Sequence, residues 1–229
     1  MLWSLELSGE ITKLRGKNKP LRLLDINEYK VVMKNCFKRL FCWSKDRNGA
    51  GAAWQEKVGE ASAFLQLAAS RYSCREFQRR EVPQELIDQI LEAARLAPTA
   101  VNRQPVHVWV VRSEEAKTKL SGATRYLFDA PVVFVVGCKA DEAWVRKYDG
   151  KNGAEIDAAI VGTHIMMEVA DLGLGCTWVG SFDPAKIAEA FPQLAGYEPV
   201  ALFPTGYPAG EPSERHSIRK PLAEFASEL

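Results

Sequence analysis

Two arginines flank a serine in Arg71-Tyr72-Ser73-Cys74-Arg75. On an extended chain alternate side chains point the same way, so this segment presents two guanidinium groups and a hydroxyl along one edge. Guanidinium pairs with phosphate through charge-assisted, bidentate hydrogen bonds, and a hydroxyl can complete the shell of acceptor oxygens. The plainer reading is that arginines beside a helix end are ordinary surface residues. A later run, Arg215-His216-Ser217-Ile218-Arg219-Lys220-Pro221, either folds back to add charge at that phosphate or is a solvated tail.

A second group is Ala97-Pro98-Thr99-Ala100-Val101-Asn102-Arg103-Gln104-Pro105, whose bracketing prolines keep the backbone extended or turned and its polar side chains out of any helix. Asn102 and Gln104 each offer a donor and an acceptor, which suits the edge of a heterocycle such as the pyrimidine of a flavin; the plainer alternative is a turn in which Asn102 bonds its own backbone. The third group is Leu172-Gly173-Leu174-Gly175-Cys176-Thr177-Trp178-Val179-Gly180-Ser181-Phe182-Asp183. Gly173 and Gly175 can end a helix in left-handed conformations, and Gly180 permits a ligand to approach the main chain closely. Neither GxGxxG nor GxxxxGK[ST] occurs, so a Rossmann dinucleotide site and an NTPase phosphate loop are unsupported. His107 and His164 fall in a strand and a buried helix, poor places for a general acid. The five cysteines form no CxxC pair, which argues against a zinc or iron–sulfur centre and for free thiols in a reducing compartment.

The elements that must position these groups alternate in type. Val58, Ala61, Phe64, Leu65 and Ala68 make one helical face, and Leu86, Ile87, Ile90, Leu91 and Ala94 after Pro83 make another. Strands are expected at Val106–Arg112, Val132–Cys138, Cys176–Gly180 and Pro199–Leu202. Ala154 to Leu172 is apolar on nearly every face, which predicts a helix buried all round, as the core of one subunit or the seam between two. Asp183-Pro184 opens a short helix through Phe191.

Residues 1–50 carry 11 Lys+Arg against 5 Asp+Glu, while the remainder carries 19 against 24. Tyr29 to Cys42 reads as a basic amphipathic helix, and the Gly/Ala-rich stretch Lys45 to Ala53 as a linker. The expected organisation is therefore a basic extension, 1–53, and a folded domain, 54–229. No apolar run approaches the roughly 20 residues of a membrane-spanning helix, and no secretory signal is evident, so a cytoplasmic location is expected. A net acidic body without an aromatic-studded basic stripe argues against nucleic-acid binding.

Taken in order, these motifs resemble the nitroreductase family over Phe64 to Leu222. They are Arg71, Ser73 and Arg75, the Ala97–Pro105 turn, the Leu-Gly-Leu-Gly run leading to Trp178-Val179-Gly180, Tyr197 to Ala201 with Gly206-Tyr207-Pro208, and Arg219 before Pro221. The resemblance implies a three-layer α+β fold with a mainly antiparallel sheet flanked by helices, and a homodimer packed through its long central helix. It also implies bound FMN, with NADH or NADPH as reductant. By resemblance, Arg71, Ser73, Arg75 and Arg219 hold the phosphate, ribityl chain and pyrimidine edge, and Pro98, Thr99, Ala100 and Asn102 reach the flavin from the other subunit. Gly180 and Ser181 lie near flavin N5, while Tyr72, Gln104, Asp157, Trp178 and Val179 complete the cofactor-binding set. Three departures bear on the acceptor pocket or the sheet: Val106 stands where a Trp is usual, Phe203-Pro204 interrupts an aliphatic strand, and Lys139–Gly153 is short.

The implied chemistry is a ping-pong transfer in which the nicotinamide gives hydride to flavin N5, leaves, and a small organic acceptor such as a nitroaromatic or quinone takes the electrons. The flavin carries that chemistry, so no catalytic side chain and no metal ligand is nominated. Two alternatives stay open: a reductase or dehalogenase acting on a different acceptor, and a flavin-binding interaction protein recruited by its basic N-terminal helix.

Overall fold

The computed structural model describes residues 61–229. The basic helix, the linker and the domain boundary expected upstream lie outside the described residues. Among the described residues no helix is long and apolar enough to cross a membrane.

A four-stranded antiparallel sheet, β1 (Val106–Val111), β2 (Val132–Cys138), β3 (Gly175–Cys176) and β4 (Glu198–Gly206), runs in the order β1-β2-β4-β3. All of β2 is buried, and its alternation divides two cores. Val132, Phe134, Val136 and Cys138 enter one, with α2 (Gln84–Arg95) and α4 (Ala154–Asp171) packed over it. Val133 and Val135 enter the other, which Leu120 of α3 (Glu114–Ser121) and Ile187 of α5 (Pro184–Ala190) close. Helix, sheet and helix thus form the three layers expected. Gly137 sits where β2 bulges, because a Cβ there would come within 3.0 Å of the Trp109 ring and 3.1 Å of the Glu198 carbonyl.

Several helix and strand expectations are met closely. Ile87, Ile90 and Ala94 are the buried face of α2, and Asp183 caps α5 by accepting from the N–H groups of Ala185 (3.0 Å) and Lys186 (3.2 Å). Others need correction. The first helix, α1 (Ala63–Ser70), buries none of its residues within the chain, and Phe64 is 68% exposed. The strand expected over Cys176–Gly180 stops after Cys176, with a single further bridge from Val179 to Leu202. Phe203-Pro204 does not interrupt β4. The Leu202 N–H points to the Val179 side, so the nitrogen of Pro204, two residues on, also faces away from β2 and its missing donor leaves that ladder intact.

The central helix differs most instructively. Ala154, Ala158, Val161, Ile165 and Val169 are buried in the core, but Ile156 is 51% exposed, and Ile160, Thr163 and Met167 continue its side at spacings of three and four. The helix is therefore not buried all round: along its outer stripe Ile156 and Thr163 are exposed, and Ile160 and Met167 only partly buried.

Candidate functional site

The extended run after α1 is positioned by the far edge of the sheet. Ser73 forms an isolated parallel bridge with Cys176, Cys74 N–H donates to the Cys176 carbonyl (3.0 Å), and Phe77 bridges Pro208. Gly175 is required there for closeness: a Cβ on it would stand 2.7 Å from the Cys74 Cβ. Of the two glycines expected to be left-handed at the helix end, only Gly173 is so, at φ +71°.

This attachment brings the two arginine-bearing runs together. Arg71, Tyr72, Ser73, Arg75, Ser213, Arg215, His216 and Arg219 line one cavity of about 490 Å³. Four guanidinium groups face one space with no carboxylate in its lining. The C-terminal run is tied down by His216, whose Nε2 donates to the Ala69 carbonyl at the end of α1 (3.0 Å). Tyr72 braces the same wall: its hydroxyl donates to the Gly210 carbonyl (2.7 Å) and its ring meets the His216 ring edge-on at 6.2 Å. Burial, and then the Cys74 thiol beside it, push the Tyr72 phenol well above the usual range, so it remains a neutral donor. Arg75 Nη1 donates to the Ser73 carbonyl (3.1 Å) and Arg219 Nη1 to the carbonyls of His216 (2.7 Å) and Ile218 (2.8 Å). Each is thus aimed by its own main chain through one nitrogen, leaving the other guanidinium donors available.

Sequence reasoning placed Arg71, Tyr72, Ser73, Arg75 and Arg219 in a cofactor set, and the structure gathers all five. It adds Ser213, Arg215 and His216. The basic run at 215–219 was the signal for them, but nothing in spacing alone shows that His216 anchors it.

Farther along the same chain, Trp178 turns back onto the fold. Its ring packs edge-on against Phe203 (5.0 Å) and over Gly162 of α4, where a Cβ would come within 2.8 Å of it. Val179 is buried, and its N–H and carbonyl are both used by Leu202. Gly180 and Ser181 are exposed, and a Cβ at Gly180 would meet only Trp178 Nε1, at 3.7 Å. A ligand on this edge therefore meets bare main chain at Gly180. Ser181 borders a shallow groove with Thr124, Arg125, Tyr126, Phe182 and Asp183, and Thr124 donates to its carbonyl (2.7 Å).

The Pro98–Gln104 loop lines neither of these spaces. Val101 (φ 45°), Asn102 (φ 56°) and Gln104 (φ 53°) are all left-handed without being glycine, a strain of about 1–3 kcal/mol each. Two side-chain acceptors hold the run: Thr99 Oγ1 takes the Gln104 N–H (3.0 Å) and Asp157 Oδ1 takes the Ala100 N–H (2.9 Å). Asp157 is 1% exposed, and its Oδ2 has no hydrogen-bond partner among the described residues.

His107, His164, Cys138 and Cys176 are not among the residues lining the arginine cavity, although Cys176 lies close enough behind its wall for Arg71 to act on the thiol. His164 Nδ1 donates to the Ile160 carbonyl one turn back (2.9 Å), and exposed His107 packs with Trp109 and Tyr197. Burial pushes the Cys138 thiol up to about 11 and the Cys176 thiol up to about 12. Among the described residues no group of three or more His, Cys, Asp or Glu is placed to hold a metal ion.

Comparison with known proteins gives the family. The family model described as Nitroreductase family matches residues 68–126 and 122–207. The chain belongs to the nitroreductase family. A nitroreductase-family crystal structure from Clostridium difficile 630 superposes with a TM-score of 0.68 at 40% identity, covering 72% of this chain and 98% of that one. A protein from Desulfovibrio desulfuricans assigned to the nitroreductases, solved in complex with FMN, superposes with a TM-score of 0.62 at 27% identity and covers 74% and 98%. In sequence, a Methanothermobacter thermautotrophicus protein assigned as an NADH dehydrogenase/NAD(P)H nitroreductase is 34% identical over 163 residues, 66% of this chain and 80% of its own. The FMN reductase [NAD(P)H] of Bacillus subtilis is 32% identical over 169 residues, 65% of each chain. The nitroreductase fold expected from the motifs is the fold observed.

Proposed function

We propose that this nitroreductase-family chain is an FMN-dependent oxidoreductase that takes hydride from NADH or NADPH and passes it to a small organic acceptor, acting as a homodimer. The observation that carries the reading is the convergence of Arg71, Arg75, Arg215 and Arg219 on one cavity free of carboxylates. Such a cradle suits a phosphate dianion, and the neutral Tyr72 and Ser73 hydroxyls beside it add no opposing charge. The Bacillus subtilis relative, named an FMN reductase [NAD(P)H], and the FMN complex of the Desulfovibrio desulfuricans protein support flavin mononucleotide as the phosphate's bearer.

In this reading Arg71, Arg75 and Arg219 hold the phosphate with Ser73, and Arg215 adds charge. The open main chain at Gly180 and Ser181 would be where the ring meets the protein, with packed Trp178 and buried Val179 holding that segment in place. Bound FMN would supply the two-electron chemistry, so the reading asks for no acid–base pair at the cavity. The outer stripe of α4, Ile156, Ile160 and Met167, is the seam on which two copies meet. Across that seam Pro98, Thr99, Ala100, Asn102 and Gln104 of one copy close the site of the other.

The test is a visible spectrum of the purified protein, taken before and after anaerobic addition of each nicotinamide. The expected outcome is a flavin spectrum that bleaches with NADH or NADPH and returns on adding a nitroaromatic or quinone. Bound flavin that neither nicotinamide reduces would overturn the enzymatic reading.

A further inference from the structure

Asp157 is a buried carboxylate that faces no cation among the described residues. It lies in the first turn of α4, 1% exposed, with one oxygen accepting the Ala100 N–H at 2.9 Å and the other without a partner. A carboxylate so placed is a poor stabiliser, because burying it opposes folding and a single neutral donor offsets only part of that cost. Its use must be sought in what it holds.

It holds the start of a strained run. Val101 is β-branched, 73% exposed and left-handed at φ 45°, so no burial of its side chain compensates the conformation. Asn102 and Gln104 share the left-handed geometry, and Thr99 Oγ1 closes the run by accepting the Gln104 N–H at 3.0 Å. Strain of this kind persists only where neighbouring groups over-determine it. Besides the turn bonds of its own main chain, the run is held by two side-chain acceptors, one at each end, and among the described residues Asp157 provides the hydrogen bond that ties it to another element of the fold.

We propose that Asp157 is a positioning residue of the flavin site: by accepting the Ala100 N–H it locks the 99–104 loop in the strained form that presents the Asn102 and Gln104 amides. Asp157 itself does not touch the flavin; it acts through Ala100. The inference rests on the flavin reading above and gives Asp157 a role distinct from the direct contact that the family resemblance implies. The lock needs an acceptor oxygen at that position, not a negative charge.

The experiment compares FMN dissociation constants and apo-protein melting temperatures for wild type, Asp157→Asn, Asp157→Ala and Ala100→Pro. Asn keeps an acceptor oxygen for Ala100, Ala removes it, and proline removes the donor while leaving the carboxylate in place. The expected result is D157N within about threefold of wild type, and D157A and A100P each weaker by tenfold or more, a loss of about 1.4 kcal/mol or greater. D157A is expected to melt no lower than wild type, since it removes a buried charge along with the bond. The double variant D157A/A100P should lose no more affinity than either single one, because both delete the same bond. Wild-type affinity in D157A would overturn the inference, and so would a D157N as weak as D157A, because charge would then be the operative property. If D157A does not fold, the comparison of D157N with A100P decides the same question. A wild-type protein that itself ignores FMN would instead remove the flavin reading, and is recognised before any variant is measured.

Discussion

In the proposed flavin site the arginine cavity and the 99–104 loop would be opposite solutions to holding a ligand. In the cavity the backbone is ordinary, extended at 71–75 and a short 3-10 turn at Glu214–Ser217, and long side chains are aimed by short bonds to their own main chain, as with Arg75 on Ser73 and Arg219 on His216. In the loop the backbone itself is bent into three left-handed non-glycine residues and pinned by Thr99 and Asp157. Charge recognition tolerates side-chain movement because Coulomb attraction falls off slowly with distance; amide recognition of a ring edge does not, because a hydrogen bond weakens steeply with angle. The side-chain cradle and the pinned loop thus match what each would recognise in the proposed flavin site.

The largest effect expected from breaking this contrast lies on the cavity side. Arg71→Ala and Arg75→Ala are each expected to weaken FMN binding roughly ten- to a hundredfold, about 1.5–3 kcal/mol for a lost charged partner. Titrations at low and high salt sharpen the point: wild-type affinity should fall as ionic strength rises, and less steeply in either variant. Equal salt dependence in all three proteins would contradict a charge-based cradle. On the loop side, Thr99→Val leaves the Gln104 N–H without its acceptor, and a net hydrogen bond of about 1 kcal/mol predicts roughly fivefold weaker FMN with no change in salt dependence. The smallest effect concerns neither ligand contact. Cys138 and Cys176 have thiol pKa values raised by burial to about 11 and about 12. Below the ordinary thiol range both states are protonated and stability is unaffected; as pH rises through about 9 the unfolded thiols ionise first, so stability falls between there and the folded values. Urea midpoints measured from pH 8 to 10.5 should decline, and Cys176→Ser should make the decline shallower.

The two regions also differed in how readable they were. The Arg-Ser-Arg spacing was readable because period-two alternation converts directly into a shared edge, and Arg71, Ser73 and Arg75 line one cavity with Arg219. Strand β2 was legible to the residue because Val132–Cys138 is an uninterrupted apolar run. The prolines at 98 and 105 marked the loop as non-helical, but three left-handed residues among Val101, Asn102 and Gln104 are invisible to propensity, being imposed by contacts from Thr99 and from Asp157, fifty-three residues beyond Gln104. The end of β3 was misread for a related reason: Thr177, Trp178 and Val179 look like strand, yet the Trp178 ring is drawn off the sheet edge onto Gly162 and Phe203. The α4 pattern was read correctly as apolar on most faces, but periodicity alone does not distinguish a stripe buried by its own chain from Ile156, left half-exposed.

Sedimentation velocity of the native protein, followed at once by protein absorbance and by visible flavin absorbance, bears most directly on the central claim that two copies together enclose FMN. The account predicts that flavin and protein co-sediment as a dimer with one flavin per chain. A monomer, or flavin left behind at the meniscus, would contradict it.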